Sequence, residues 1–106
     1  MGFLDVLFEK GDKSRVLHFY LVDTDGEELE RCRKREPLTF RLHPTEENRV
    51  VVFHKVGQGS EAPVGAVPME EAESVADHLR KGFLCEGSIM EIKEGACRVK
   101  CRLIGL

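Results

Sequence analysis

Several features that would decide a class of function are missing from this sequence. It contains no tryptophan and a single tyrosine, and no apolar run reaches the roughly 18 residues of a membrane-spanning helix. The formal net charge of −3 at pH 7 gives no sign of the strongly basic surface of many nucleic-acid-binding proteins. The opening residues lack the basic start and the length of a secretory signal. These absences predict a cytoplasmic protein with no transmembrane segment.

Catalytic motifs are missing too. The sequence has no Gly-x-Ser-x-Gly and no His-x-x-x-His, and the Gly-rich stretch Gly57–Ser60 lacks the lysine and following helix of a phosphate-binding loop. The paired carboxylates Glu46-Glu47 and Glu70-Glu71 are predicted to lie in solvent. We therefore expect a protein that is not an enzyme and that carries no cofactor.

The four cysteines and four histidines are not spaced as a disulfide or a metal site. Cys97 and Cys101 lie in an alternating stretch, and four strand residues span about 13 Å, too far for one zinc ion or one disulfide. Four alternate residues are instead predicted to form the apolar face of a strand: Cys97, Val99, Cys101 and Leu103. No histidine stands at ligand spacing from another or from these thiols, so no metal is expected.

Length and composition predict a single domain over residues 1–106, because 42% hydrophobic and 33% charged residues are ordinary for a globular protein. Residues 1–11 are predicted to form a short N-terminal amphipathic segment, and residues 15–104 the main body. The apolar face of the segment consists of Phe3, Leu4, Leu7 and Phe8. This face is expected to pack on the protein's own core, with a partner or a membrane surface as the alternative.

The first half of the chain is predicted to be extended. Arg15–Val22 is rich in aromatic and branched residues and predicts a strand. The pair Asp25-Gly26 is typical of a tight hairpin, whose return arm, residues 27–36, is either an edge strand or a loop. Residues 38–43 alternate, and the side chains expected to face inward are Leu38, Phe40 and Leu42.

The second half predicts a helix before a final hairpin. The nearly continuous apolar stretch 50–56 predicts a central strand covered on both faces, and residues 64–67 a short extended segment. A helix is predicted over Met69–Lys81, with Pro68 at its first position. Its apolar stripe contains Met69, Ala72, Val75, Ala76 and Leu79.

The last two strands, Phe83–Lys93 and Ala96–Leu103, are predicted to form a hairpin that turns at Glu94-Gly95. All segments together predict an α+β fold that is mainly β. The economical arrangement is a small OB-like or SH3-like antiparallel barrel of about six strands, with one helix inserted before the final hairpin.

This order of elements resembles the HIRAN domain over roughly Val16–Leu103. The residues that carry the resemblance are the Leu-x-Phe-x-Leu strand, His43-Pro44, Asn48, the apolar strand after it, and Val64-Gly65-x-Val67-Pro68 followed by Ala72, Ala76 and Leu79. The resemblance implies an OB-like barrel that binds single-stranded DNA, in the best-understood members at a free 3′ end. The sequence departs from the family pattern at Thr45-Glu46-Glu47, where members carry Asn-Pro-Tyr-Asp, and at Ala66, where some carry His.

Basic residues supply the candidate nucleic-acid surface. Alternation directs Arg98, Lys100 and Arg102 to one face of the last strand, and OB-type barrels bind single strands with basic grooves and aromatic platforms. The platform is Tyr20, or Phe19 if that ring faces outward. The full set of predicted contacts is Tyr20, Arg31, Arg33, Arg35, Arg41, Asn48, Arg98, Lys100 and Arg102. Two alternatives stay open: the charges only solubilise strand faces, or the protein docks a protein partner through its N-terminal apolar segment or a strand edge.

Overall fold

The computed structural model describes residues 14–105, which form six antiparallel strands and two helices. In chain order these are β1 (Ser14–Tyr20), α1 (Gly26–Glu30), β2 (Pro37–Leu42), β3 (Val50–Gly57), β4 (Ser60–Ala66), α2 (Met69–Arg80), β5 (Leu84–Lys93) and β6 (Ala96–Ile104). The predicted N-terminal segment, with Phe3, Leu4, Leu7 and Phe8, lies outside the described residues. Neither helix of the described part is long and apolar enough to cross a membrane.

The strands form one sheet in the order β1-β6-β5-β2-β3-β4, and this sheet closes on itself. Just after β1, Val22 pairs with Ala66 at the end of β4 through two hydrogen bonds of 2.9 and 2.8 Å. Gly65 permits this close approach, since a Cβ there would lie 3.0 Å from the Val22 carbonyl oxygen. The predicted fold class is confirmed: a mainly β, small antiparallel barrel with a helix inserted before the final hairpin.

The core is built from the inner faces of the strands and one side of α2. The predicted thiol-lined face of β6 is confirmed, since Cys97, Val99 and Cys101 are fully buried. Ala72, Val75 and Ala76 of α2 pack into the same core. Met69 was expected in this stripe, but it is 89% exposed at the start of the helix, where Val67 and Pro68 are buried in its place.

The expected hairpin at Asp25-Gly26 is wrong. Asp25 is instead the N-cap of α1, because its side chain accepts a hydrogen bond of 3.1 Å from the Glu28 amide. Acidic residues in the first turn, Glu27 and Glu28, favour the same choice through the helix dipole. The segment 27–36 is therefore a short helix followed by a loop, and it contributes no edge strand.

Two further expectations need correction. The outer face of β3 is only half covered, with Val51 and Phe53 partly buried and Lys55 exposed, while Val50 and Val52 are buried on the inner face. The strand therefore alternates, because α2 and the barrel interior cover only one of its faces. Leu42 is 37% exposed at the end of β2, although Leu38 and Phe40 point inward as expected.

The final hairpin confirms its predicted turn. β5 and β6 are joined by Glu94 and Gly95, whose φ angles of 51° and 82° both lie in the left-handed region. A two-residue turn with positive φ at both positions matches the twist of the strands it connects. The helix before this hairpin ends at Arg80, and Pro68 is its N-cap rather than its first helical residue.

Candidate nucleic-acid interface

The outer surface of β1 and β6 brings together four of the predicted contacts. The two strands pair antiparallel, with Tyr20 opposite Arg98, His18 opposite Lys100 and Val16 opposite Arg102. Directly opposite residues project to the same side of a sheet with their Cβ atoms about 5 Å apart. We call these six residues the basic face: Val16, His18, Tyr20, Arg98, Lys100 and Arg102.

The aromatic platform of this face is Tyr20. Its side chain is 54% exposed, whereas Phe19 is 7% exposed and belongs to the core. The three cations follow one another on alternate residues of β6, so the row from Arg98 to Arg102 extends over about 13 Å. Proteins that bind single-stranded nucleic acid combine these two features: bases stack on an exposed ring, and phosphates contact a row of cations.

β5 borders the basic face on its other side with acidic residues. Glu86 lies opposite Arg102, Ser88 opposite Lys100, and Glu91 opposite Arg98 after a bulge in β5. The Arg98–Glu91 ion pair is loose, with 3.9 Å between Nε and Oε1. Pairs of this exposure contribute little, about 0–1 kcal/mol, so a phosphate can compete for the guanidinium.

Lys100 is the cation of the face that is most available to a ligand. Its neighbours across the strands are His18 and Ser88, neither of which is a carboxylate. Within residues 14–105 it makes no ion pair. No carboxylate of the described residues therefore has to be displaced when its ammonium group meets a phosphate, and Lys100 should contribute most to the salt dependence of binding.

Arg41 is placed elsewhere on the barrel and is already engaged. Both its Nε and Nη2 donate to Glu61 Oε1, at 3.2 and 2.8 Å, and its guanidinium lies 5.9 Å from the centre of the Phe53 ring. Thr39 donates to the other oxygen of the same carboxylate at 2.8 Å. These hydrogen bonds hold the pKa of Glu61 below its ordinary value. Arg41 is thus a structural partner of Glu61 and does not join the basic face.

The predicted cluster Arg31, Arg33 and Arg35 does not share a strand face. Arg31 caps the C-terminus of α1, and the other two lie in the loop before β2. Arg35 adopts a positive φ of 72°. Helix formation by residues 26–30 removes the extended conformation that would have aligned these side chains.

Asn48 also serves the fold. It occupies a left-handed turn, with φ at 56°, and its Oδ1 accepts a hydrogen bond from Nη2 of Arg80. The adjacent groove, of about 590 Å³, has five carboxylates among its twelve lining residues and a single arginine, Arg49, which pairs with Asp23 at 3.0 Å. Carboxylates repel a phosphate, so this groove is poorly suited to a nucleic-acid end.

The sequence reasoning missed His18 as part of the interface. The signal was present, because Val16, His18 and Tyr20 alternate with buried Phe19 and therefore share one face. Alternation within one strand does not show which strand is paired with it. The pairing of β1 with β6 places the ring and the cations side by side.

Comparisons with known proteins support the fold and add no function. No family model matches the chain, and no curated protein shows significant sequence similarity to it. The fold is similar to the crystal structure of a protein from Lactobacillus plantarum, a structural-genomics target. The TM-score is 0.65, with 14% sequence identity over 88% of this chain and 99% of that one. At this identity the similarity establishes the architecture alone.

Proposed function

We propose that this protein is a non-enzymatic module that binds single-stranded nucleic acid, with single-stranded DNA as the reference ligand, across the basic face. The observation that carries the proposal is the placement of exposed Tyr20 directly opposite Arg98, beside the row that continues to Lys100 and Arg102. Stacking of a base on the ring and phosphate contacts along β6 form one continuous site. The resemblance to HIRAN domains points to the same class of ligand.

The proposed binding does not depend on a free 3′ end. Asn48, which matches the family's end-binding loop, is occupied by Arg80, and the groove beside it is acidic. The basic face, in contrast, is a strand surface whose cations follow one another on alternate residues of β6, so the internal phosphates of a strand can contact it without a terminus. An oligonucleotide with a 3′ phosphate is therefore expected to bind as well as one with a 3′ hydroxyl.

Lys100→Glu and Tyr20→Ala are expected to weaken binding in two distinguishable ways. The measurement is fluorescence anisotropy of a labelled oligothymidine at several salt concentrations. Lys100→Glu should weaken binding by about tenfold or more and reduce the slope of log K against log salt by about 0.7, one single-strand phosphate contact. Tyr20→Ala should lose the roughly 1–3 kcal/mol of one stacked base while the salt slope stays unchanged.

Lys34→Glu is the matched control, because it makes the same charge change on an exposed residue of the loop that holds Arg33 and Arg35. Its affinity should remain within about twofold of wild type. If Lys34→Glu weakens binding as much as Lys100→Glu, binding follows net charge and the basic face is not the site. If wild-type protein shows no binding at low salt, the proposal fails, and docking of a protein partner takes its place.

A further inference from the structure

A buried cluster of mixed metal-ligand side chains lies between α1, the loop after it and β3. His54 points inward from β3 and is only 3% exposed. Its Nδ1 lies 2.6 Å from Oε2 of Glu36, and its Nε2 lies 2.8 Å from Oε1 of Glu28. Cys32 is buried beside them, so three residues spaced four apart along the chain, Glu28, Cys32 and Glu36, converge on one imidazole.

The distances among the donor atoms suit one small cation. Cys32 Sγ, a Glu36 carboxylate oxygen and a ring nitrogen of His54 all lie within 4.8 Å of one another. A tetrahedral zinc ion with bonds of about 2.0–2.3 Å separates its ligands by about 3.5 Å. The cluster reaches that geometry if the imidazole and the Glu36 carboxylate separate by somewhat under 1 Å and the sulfur comes to lie about 3.5 Å from both.

Glu28 strengthens this assignment independently. A histidine that binds a metal through one nitrogen usually donates its other N–H to a carboxylate, which fixes the orientation of the ring. Glu28 takes that position at Nε2, while the other nitrogen faces Glu36. The arrangement is therefore a carboxylate–histidine pair directed at a thiol and a second carboxylate.

The charges of the cluster are close to balanced without a metal. Two carboxylates, 16% and 19% exposed, face a single imidazole, and Nη1 of Arg31 lies 3.8 Å from Oε2 of Glu28. Without a metal, the two ring nitrogens face the carboxylates, and the Cys32 thiol donates to the main-chain carbonyl oxygen of Glu28 at 3.3 Å.

We propose that Cys32, Glu36 and His54 bind a divalent cation of the zinc type, with Glu28 holding the imidazole. Binding displaces the thiol proton of Cys32 and the Nδ1 proton of His54 to solvent, and the thiolate, a carboxylate oxygen and Nδ1 each donate an electron pair to the ion. Three protein ligands leave one position for water. The ion would tie α1 and its loop to β3, on a part of the barrel separate from the basic face.

The test is a titration of chelator-treated, reduced protein with Co²⁺, whose tetrahedral complexes absorb visible light and show a thiolate charge-transfer band when sulfur is a ligand. Wild-type protein should develop both features with one equivalent, and Zn²⁺ should abolish them by displacement. Cys32→Ala should lose the charge-transfer band. Glu28→Gln should keep the spectrum with an affinity that is about 10–100-fold weaker.

Cys97→Ala is the matched control, since Cys97 is another fully buried thiol close to Cys32 but outside the donor group. It should retain the cobalt spectrum. A wild-type protein that gives no saturable spectrum overturns the proposal without any need for a variant. A charge-transfer band that persists in folded Cys32→Ala also overturns it, because the thiol ligand would then be another cysteine, such as the partly exposed Cys85.

Discussion

Replacing His54 with leucine should destabilise the metal-free protein by about 3 kcal/mol, because it leaves two largely buried carboxylates without the hydrogen-bond donor that they share. The imidazole is the shared hydrogen-bond partner of Glu28 and Glu36, and leucine fills similar space without offering them a donor. The oxygens that face the ring, Oε1 of Glu28 and Oε2 of Glu36, must then find water or take up protons, and either costs free energy. Urea unfolding in a buffer that contains a chelator measures the loss.

His18→Leu is the matched control, because it makes the same replacement on an exposed residue of β1 and should change stability by no more than about 0.5 kcal/mol. The pH dependence separates lost charge pairing from poor packing. Burial lowers the pKa of His54, but its hydrogen bonds to Glu28 and Glu36 outweigh burial and raise the pKa above the ordinary 6.5.

The sign of the resulting pH effect follows from that shift. The contribution of the imidazolium to wild-type stability is complete below about pH 6.5 and is lost as the pH rises through the higher folded-state pKa. His54→Leu should lack this decline. An unfolding free energy that is equal in the two proteins, or a decline of the same size in both, would contradict the account of the buried cluster.

Gly87→Ala should destabilise the barrel by about 3 kcal/mol, the upper end of the cost of overpacking a core. An alanine Cβ at this position would lie 2.6 Å from Cζ of Phe40, closer still to its Cε1, and 2.8 Å from the Lys100 carbonyl oxygen. The Phe40 ring is 5% exposed and cannot swing into solvent, while the Lys100 carbonyl belongs to the paired strand β6. Thermal or urea unfolding measures the effect.

Gly26→Ala provides the comparison, because a Cβ there meets nothing within 4 Å and its φ is ordinary. It should be neutral or slightly stabilising, since alanine restricts the unfolded chain more than glycine does. Adding Phe40→Leu to Gly87→Ala should restore part of the stability, because the two positions are in direct contact. Equal stabilities of Gly87→Ala and Gly26→Ala would contradict this account, because they would show that the Phe40 ring and the Lys100 carbonyl can move to accommodate the added Cβ.

The parts of the fold that depend on local pattern could be predicted from the sequence. Alternation in β6 identified its buried face, and helical spacing identified Val75 and Ala76 as core. The pair Glu94-Gly95 located the final turn because few residues adopt positive φ at both central positions. These signals are carried by residues within a few positions of each other, where sterics and burial act directly.

Asp25-Gly26 shows where local signals become ambiguous. The same pair suits the centre of a hairpin and the start of a helix, since aspartate caps helices as readily as it enters turns. The hydrogen bond that the Glu28 amide donates to the Asp25 side chain, three residues earlier, favours the helix. The helix also rules out the predicted alignment of Arg31, Arg33 and Arg35, because that alignment required a strand.

The candidate sites needed tertiary pairing that no local pattern contains. The cations of β6 were predicted on one face, but only the register with β1 places Tyr20 opposite Arg98. Likewise, His54 showed no ligand spacing in sequence, yet folding brings it to Cys32 and Glu36. A strand residue and a helix or loop residue have no fixed sequence separation, so spacing rules written for metal motifs do not detect such a cluster.

The most direct measurement of the central claim is a map of amide chemical-shift changes in ¹⁵N-labelled protein on addition of a short oligothymidine. Saturable changes confined to β1 around Tyr20 and to β6 from Arg98 to Arg102 are the predicted result, with the loop around Asn48 unaffected. Changes centred on that loop would favour an end-binding site of the HIRAN type. An unchanged spectrum at low salt would contradict nucleic-acid binding by the basic face.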